Sequence, residues 1–270
     1  MKTIRITTLI LALCGATGTY AQSIIDNDIL NADLERLLKT VDSRGSFSDN
    51  SGLVAYYPFI NGYKDESGNG NDGQAQGSAS IANDTQSTEA NTCLSLGGVD
   101  RPGCVKIRNS SSLAIKDGWT FAARIMLSSA RSMDGWGRSV GSGGAQAILA
   151  KSHDRSGFII FCSMKDGKFN TWMGGSNGWP GGISANMDGA SPKQWIHLAY
   201  TYSNGQWRVY LNGKLKTTKD ARPDFSRGNS QDLYLGKFSD SWYPLNGMLD
   251  EVRIYNRGLS AEEVAELAEM

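Results

Sequence analysis

The sequence predicts an all-β protein, a β-sandwich or jelly roll, from three observations. From Leu53 onward, runs of β-branched, aromatic and aliphatic residues recur about every ten residues, with turn-forming residues between them. The chain of 270 residues contains 32 glycines, which suits strands joined by many turns. Two of the runs flank Asn204-Gly205, and the second ends at Asn212-Gly213, a dipeptide that favours tight hairpins.

The strand pattern is interrupted in two places and ends in a short helix. Long loops rich in glycine and serine are expected at 128–144 and 174–191. Ser260 and Glu263 form a capping box that predicts a terminal helix. The candidate strands are 53–59, 92–97, 104–108, 118–126, 146–151, 157–163, 167–173, 194–202, 206–212, 231–236 and 247–255.

The first 51 residues differ from the rest of the chain. Residues 1–21 have a basic start, an apolar run and small residues at Thr19-Tyr20-Ala21, which predicts a signal peptide. Residues 22–51 are expected to hold a short helix over 24–42 and a polar linker, followed by the main domain at 52–270. The expected location is therefore the periplasm, the cell surface or the extracellular space, with no membrane span.

The charge balance argues against nucleic acid as a partner. The chain has 27 basic and 27 acidic residues. Cleavage of the leader removes Lys2 and Arg5 and leaves 25 basic and 27 acidic residues. A nearly neutral chain offers no electrostatic attraction for nucleic acid or an anionic membrane.

Cys93 and Cys104 are candidates for a disulfide. The expected compartment is oxidising, and their spacing suits facing positions on a hairpin. Two unpaired buried thiols are the alternative. Cys162 lies in a strand-like run and is expected to be a small core residue.

Several motifs together resemble the laminin-G-like, concanavalin A-like jelly-roll domains of secreted bacterial proteins, over residues 52–269. The motifs are Leu53-Val-Ala-Tyr-Tyr-Pro-Phe, Asp65-Glu-Ser-Gly-Asn-Gly-Asn-Asp-Gly, Trp119-Thr-Phe-Ala-Ala-Arg, Trp195-Ile-His-Leu-Ala-Tyr, Val209-Tyr-Leu-Asn-Gly and Leu249-Asp-Glu-Val-Arg-Ile-Tyr. With the predicted leader, they resemble a secreted protein of the Bacteroidetes type. The resemblance implies a fold shared with lectins and retaining glucanases, and a glycan-binding or adhesive role.

The sequence argues against an enzyme. A retaining glycosidase needs two carboxyl groups about 5–5.5 Å apart, which a strand supplies from residues on one face. No such strand motif occurs. Strand alternation is expected to place the neighbours Asp250 and Glu251 on opposite faces. His153 is expected in a surface turn, and His197 is expected to be a core or sheet-surface histidine whose hydrogen bonds are satisfied.

Asp250 is also a candidate metal ligand. It shares parity with Val252 and Ile254, the expected core face, where an ionised carboxylate needs a partner. The resemblance implies a structural calcium that joins the first and last strands, held by Asp250 with oxygens of Asp65 and Asn71. The alternative is that Asp250 caps backbone amides or meets an arginine.

Ligand binding is expected at the loop aromatics. Trp136, followed by Arg138, and Trp179 lie in the two long loops, and Trp242-Tyr243 lies in a shorter one. An amphipathic ring beside polar residues suits a sugar, although packing that anchors the loops is the alternative. The predicted function is a secreted, non-catalytic module that binds a polysaccharide or a glycoprotein glycan. The alternatives are a structural subunit that binds a cell-envelope protein, and a glycoside hydrolase.

Overall fold

The computed structural model describes one compact unit within Asn50–Glu269. The residues described are 50–84, 86, 91–114, 118–128, 131–133, 139–140, 144–151, 158–165, 168–174, 183–188, 190–220, 230–238 and 243–270. The predicted signal peptide and the predicted helix 24–42 lie outside them. None of the described helices is both long and apolar enough to cross a membrane.

The described part of the chain is built almost entirely from strands. In chain order they are β1 (Leu53–Tyr57), β2 (Gly73–Gly77), β3 (Ser80–Asn83), β4 (Thr92–Gly97), β5 (Gly103–Ile107), β6 (Gly118–Leu127), β7 (Ser132–Met133), β8 (Ser139–Val140), β9 (Gln146–Lys151), β10 (Phe158–Lys165), β11 (Lys168–Gly174), β12 (Ser184–Met187), β13 (Ile196–Ser203), β14 (Gln206–Leu211), β15 (Lys214–Asp220), β16 (Leu233–Leu235) and β17 (Asn246–Tyr255). A 3₁₀ turn spans Ser111–Leu113, and helix α1 spans Ala261–Glu269.

Two antiparallel sheets form a sandwich. Sheet A has the order β15-β14-β13-β6-β17-β4-β3, with β1 also paired to β17. Sheet B has the order β12-β11-β10-β9-β16-β5-β2. The hydrophobic core lies between them and contains side chains from both, such as Phe121 and Leu198 of sheet A and Ile160 and Leu235 of sheet B. The predicted all-β sandwich is confirmed.

The predicted turns and the C-terminal helix are also present. Asn204 and Gly205 have φ of 52° and 76°, the left-handed values that a two-residue hairpin needs, and they join β13 to β14. Asn212 and Gly213 repeat this geometry between β14 and β15. The Ser260 amide donates to Glu263 Oε2 at 2.6 Å, and the Glu263 amide donates to Ser260 Oγ at 3.2 Å. This is the predicted capping box.

The face assigned to Asp250 from the sequence is wrong because β17 contains a β-bulge. The pairing of β17 with β6 shifts register between Asp250 and Arg253, and Glu251 has a positive φ of 51°. An extra residue reverses the alternation that follows it. Val252 therefore points into the core, whereas Asp250 lies on the outer face of sheet A, opposite Arg124 of β6.

The predicted Cys93–Cys104 disulfide is also wrong. Both thiols are free and buried. Cys93 belongs to β4 in sheet A, and Cys104 belongs to β5 in sheet B. The connection between these strands crosses from one sheet to the other instead of closing a hairpin, so the thiols do not face each other. Cys162 is free and lies in the core, as predicted.

Candidate functional site

Two aromatic rings lie side by side on the outer face of sheet B. Phe161 of β10 and Trp172 of β11 are directly paired across the strands. Their rings are stacked, with centroids 5.5 Å apart and an interplanar angle of 25°. Both side chains are only partly buried. They face outward because Ile160, Cys162 and Met173, which alternate with them, point into the core.

A row of polar side chains runs beside this aromatic pair. Ser163, Asn170 and Asn186 occupy facing positions on β10, β11 and β12, one pleat away from the rings. Asn186 is exposed and Asn170 is half-buried. Hydroxyl and amide groups therefore lie next to an apolar surface, which is the combination that a sugar ring requires.

The rings rest on a small second hydrophobic cluster. Its buried members include Ala147, Ile159, Phe238 and Tyr243, and Phe161 packs against them. Tyr243 meets Phe161 edge-on, with centroids 5.4 Å apart, and only 8% of its surface is exposed. Small side chains on β9 leave room for these rings. The cluster fixes the orientation of Phe161 and, through it, of Trp172.

A third aromatic ring lies further along the same face. Tyr234 of β16 pairs with Lys106 of β5, which in turn pairs with Gln74 of β2. Tyr234 is half-buried, and Gln74 is exposed. The Nζ atoms of Lys106 and Lys237 lie 6.0 Å and 5.3 Å from the centre of the Tyr234 ring.

Most of the predicted ligand-binding residues lie outside the described ranges, namely Trp136, Arg138, Trp179 and Trp242. Their role stays a prediction. Tyr243 is described, and it packs beneath the rings as a support. Two of the predicted loops start beside the aromatic pair, because Gly174 pairs with Ile159 and Tyr243 contacts Phe161. Gly174, which precedes Trp179 in the sequence, and Tyr243, which follows Trp242, therefore both lie at this part of sheet B.

The sequence contained a signal for the aromatic pair. In β10, Phe161 and Ser163 alternate with core residues, and in β11, Asn170 and Trp172 do the same. Polar residues mark the outer face of each strand, so the aromatic residue of the same parity faces outward too. That pattern separates Trp172 from the core tryptophans Trp119 and Trp207.

The outer face of sheet A carries a different group of side chains, which are charged. Asp250 is fully buried and accepts hydrogen bonds from Asn91 Nδ2 at 2.9 Å and from the Glu251 amide at 2.8 Å. Arg124 Nη1 lies 3.4 Å from Asp250 Oδ2. Burial, then the Glu251 carboxylate, raise the pKa of Asp250 to about 6 despite these donors.

Both carboxylates of the bulge lie on this outer face. Glu251 accepts a hydrogen bond from Tyr56 Oη at 2.9 Å and forms an ion pair with Arg253 at 2.6 Å. The expectation that Asp250 and Glu251 lie on opposite faces is therefore wrong. His197 is buried on the same sheet surface, which agrees with its predicted location, but its Nδ1 makes no hydrogen bond among the described residues and so is not satisfied as expected. Burial, then the neighbouring arginines, lower the pKa of His197 to about 3.

The predicted calcium ligands fit a cation poorly. Asp65 accepts backbone amide hydrogen bonds from Tyr56 and Ser67 at Oδ1 and from Asn71 at Oδ2, each at 2.9 Å. Asn71 in turn donates its side-chain amide to the Val54 carbonyl at 2.7 Å. Asp250 has a guanidinium beside it, as the alternative expectation held. Within the described ranges, no group of three His, Cys, Asp or Glu side chains could hold a metal ion.

The sequence matches a family profile. The laminin-G-type profile described as "Concanavalin A-like lectin/glucanases superfamily" matches residues 97–265. No curated protein matches the chain in sequence.

Solved structures share the fold at low sequence identity. Domain 4 of AbnA, a GH43 extracellular arabinanase from Geobacillus stearothermophilus solved in complex with arabinotriose, is 22% identical, with a TM-score of 0.59 over 80% of this chain and 98% of that domain. The binding domain of Paraclostridial Mosquitocidal Protein 1 is 18% identical, with a TM-score of 0.59 over 81% of this chain and 52% of its own. A botulinum neurotoxin type C structure, whose cell entry is described as dependent on two ganglioside molecules, is 15% identical, with a TM-score of 0.57 over 83% and 52%. The chain thus spans about half the length of these toxin structures.

Proposed function

We propose that this chain, which belongs to the concanavalin A-like lectin/glucanases superfamily, is a non-catalytic module that binds glycans on the outer face of sheet B. The single observation that carries the proposal is the stacked, partly exposed pair Phe161 and Trp172 beside the polar row that includes Asn170 and Asn186. The apolar face of a sugar can stack on the rings, while its hydroxyl groups bond to the amides.

The likeness to carbohydrate-binding structures supports the same function. The arabinanase domain was solved with arabinotriose, a neurotoxin is described with gangliosides, and the binding domain of a second neurotoxin was solved in complex with a sialylated ligand. Each ligand belongs to that protein. These proteins share a β-sandwich of this fold and are described with carbohydrate ligands, and we propose that this chain also binds carbohydrate.

The contacts of the bulge carboxylates support a non-catalytic role. Asp250 is fully buried beneath donors, and Glu251 is held by Arg253 and Tyr56. A glycosidase would need one of its carboxyl groups free to protonate the leaving group and the other free to attack the sugar. Here both carboxylates serve to neutralise arginines and to fix the bulge.

The test combines binding and turnover on one set of polysaccharides. Purified protein is incubated with insoluble or immobilised arabinan, xylan, galactan, pectin and β-glucan, and the bound fraction and the released reducing sugar are measured. The proposal predicts retention on at least one polysaccharide without release of sugar. Release of sugar that is lost in Asp250→Asn would show an enzyme instead, and no retention on any of them would refute glycan binding.

We also propose that the protein is exported, on the basis of the predicted leader at residues 1–21. The basic start, the apolar run and the small residues before Gln22 support cleavage after Ala21. N-terminal sequencing of the mature protein from the source cells tests this proposal. A first residue of Gln22 would support export, and an intact Met1 in the cytoplasmic fraction would contradict it.

A further inference from the structure

The Tyr234 ring has two ammonium groups around it. Lys106 reaches it from β5, the neighbouring strand of sheet B, and Lys237 follows it along the chain after Gly236. Gly236 has a φ of 88°, a left-handed conformation that glycine adopts without strain. The turn that this allows brings Lys237 back to the same ring. All three side chains are partly exposed on one surface.

Asp232 holds one of these ammonium groups in place. Lys106 Nζ lies 2.8 Å from Asp232 Oδ2, and the backbone amide of Asn109 donates to the other carboxylate oxygen at 2.8 Å. Burial alone would raise the pKa of Asp232, but the hydrogen bonds from Lys106 and Asn109 hold that pKa below its ordinary value. Asp232 is therefore ionised and orients Lys106 beside the ring.

Positive charge nevertheless exceeds negative charge here. The buried Lys151 ammonium also interacts electrostatically with Asp232, and it donates to Asn109 Oδ1 at 2.6 Å. Lys237 forms no ion pair with a carboxylate among the described residues, and it interacts with the Cys104 thiol. Burial raises the pKa of that thiol, and Lys237 offsets part of the rise. Lys106 and Lys151 thus share the Asp232 carboxylate, and Lys237 adds a further positive charge beside the Tyr234 ring.

We propose that Lys106, Tyr234 and Lys237 form a subsite that selects sugars carrying an anionic group. This inference rests on the proposed glycan-binding function of the same sheet face. The sugar ring stacks on Tyr234, and its anionic substituent lies between the two ammonium groups. The exposed Gln74 amide, in register with Lys106, is placed for a hydroxyl group. Charge-assisted hydrogen bonds are about twice as strong as neutral ones, so the charged substituent decides which sugar is retained.

The two lysines distinguish anionic sugars from neutral ones, but they do not distinguish a carboxylate from a sulfate. A lysine ammonium is a compact point charge with rotatable donors, so it can bind either a carboxylate or a sulfate. The planar fork of arginine, in contrast, matches the geometry of a carboxylate. Uronic acids and sulfated sugars are therefore the two sources of a suitable ligand, and both belong in the test. Binding through exposed ammonium groups also weakens as salt screens them.

The test compares charged polysaccharides with matched neutral forms. Affinity electrophoresis of the mature protein at low salt uses polygalacturonate, its fully methyl-esterified form, a sulfated galactan and the same galactan after desulfation. The variants are Lys106→Gln, Lys237→Gln and the double variant, with Lys216→Gln on the exposed face of β15 as the matched control. Thermal unfolding confirms that each variant is folded.

The expected result is a charge preference that depends on these two lysines. One charge-assisted hydrogen bond is equivalent to about a tenfold change in affinity, so at least one anionic polymer should bind about tenfold more tightly than its neutral form. The double variant should lose this ratio, and Lys216→Gln should keep it. Equal binding of charged and neutral forms, or a ratio that survives the double variant, overturns the subsite but leaves glycan binding intact. Failure to bind any of the four also overturns the subsite, and failure that is accompanied by no retention on the polysaccharides named above refutes both proposals.

Discussion

Arg124 and Asp250 lie opposite one another on β6 and β17, with Arg124 Nη1 3.4 Å from Asp250 Oδ2. The Asp250 side chain is fully buried, and 28% of the Arg124 side chain is exposed. The same guanidinium lies 3.6 Å from Asp84 Oδ2 and 4.8 Å from the centre of the Trp195 ring. Arg124 therefore neutralises two buried carboxylates and links Asp84, Asp250 and Trp195 on the outer face of sheet A.

Arg124→Ala should destabilise the protein strongly, because it leaves the buried carboxyl groups of Asp250 and Asp84 without their cation. Removing one partner of a buried ion pair costs about 3 kcal/mol. Urea unfolding at neutral pH measures the loss. Arg131→Ala is the control, because its pair with Asp100 is about half exposed, at 49% and 54%, and should cost less than about 1 kcal/mol. Equal losses in the two variants would contradict the buried pair.

Asp250 and His197 should give opposite pH dependences of stability. The folded-state pKa of Asp250 is raised to about 6, so its contribution falls as pH rises from about 4 to 6. The folded-state pKa of His197 is lowered to about 3, so its contribution rises between pH 3 and about 6.5. Arg124 acts on both groups, Glu251 acts on Asp250, and Arg253 acts on His197.

In the wild type, the pH-dependent contributions of Asp250 and His197 to the free energy of unfolding offset each other. Variants that remove one of the two groups should reveal the contribution of the other. Asp250→Asn should leave the histidine contribution, so its stability should rise between pH 4 and 6.5. His197→Gln should leave the aspartate contribution, so its stability should fall over pH 4 to 6. Urea unfolding of the three proteins at each pH gives the slopes. Parallel curves for the two variants would show that neither pKa is shifted in this way.

Cys93, Cys104 and Cys162 should all be free thiols. Cys93 and Cys104 lie in different sheets, and burial raises the pKa of each, as it does for Cys162. Alkylation without reductant, followed by mass spectrometry, should label all three in denaturant and label them slowly in the folded protein. Labelling of Cys162 alone in denaturant would reveal a Cys93–Cys104 disulfide.

Calcium should leave the thermal midpoint unchanged. The oxygens of Asp65 already accept three backbone amides, and Asp250 faces a guanidinium. A cation would have to displace these donors. Calorimetry with calcium and with chelator measures the midpoint, and a clear rise with calcium that Asp65→Asn removes would restore the predicted site.

The strands that the sequence revealed are the interior ones. Runs of apolar residues marked β6, β9, β13 and β17 to within two residues, because these strands are buried along most of their length. The strands absent from the prediction include the first and last strands in the order of each large sheet, namely β2, β3, β12 and β15. Edge strands are polar or charged, as in Lys214–Asp220, because charge discourages pairing with other chains. Their sequences therefore resemble loops.

The errors at Asp250 and at the cysteines both arise from backbone features that the local pattern of apolar residues does not encode. Parity along a strand holds only without a bulge, and Asp250-Glu251 contains no glycine that would announce one. Similarly, the spacing of Cys93 and Cys104 suits a hairpin, but the hydrophobic pattern does not say when the chain changes sheets. The loop aromatics are predicted from composition alone and stay a prediction, whereas the strand register is needed to show that Phe161 and Trp172 face outward together.

The central claim is that the outer face of sheet B binds glycan through its aromatic rings, and one comparison tests it most directly. Trp172→Ala and Trp195→Ala remove the same side chain from the outer faces of opposite sheets, and both are measured by calorimetric titration with an oligosaccharide of the polysaccharide that retains the wild type. Loss of a central aromatic contact costs about 2 kcal/mol, so Trp172→Ala should weaken binding at least about tenfold. Trp195→Ala, once shown to be folded, should bind like the wild type. Undiminished binding by Trp172→Ala, or an equal loss in both variants, would contradict the claim.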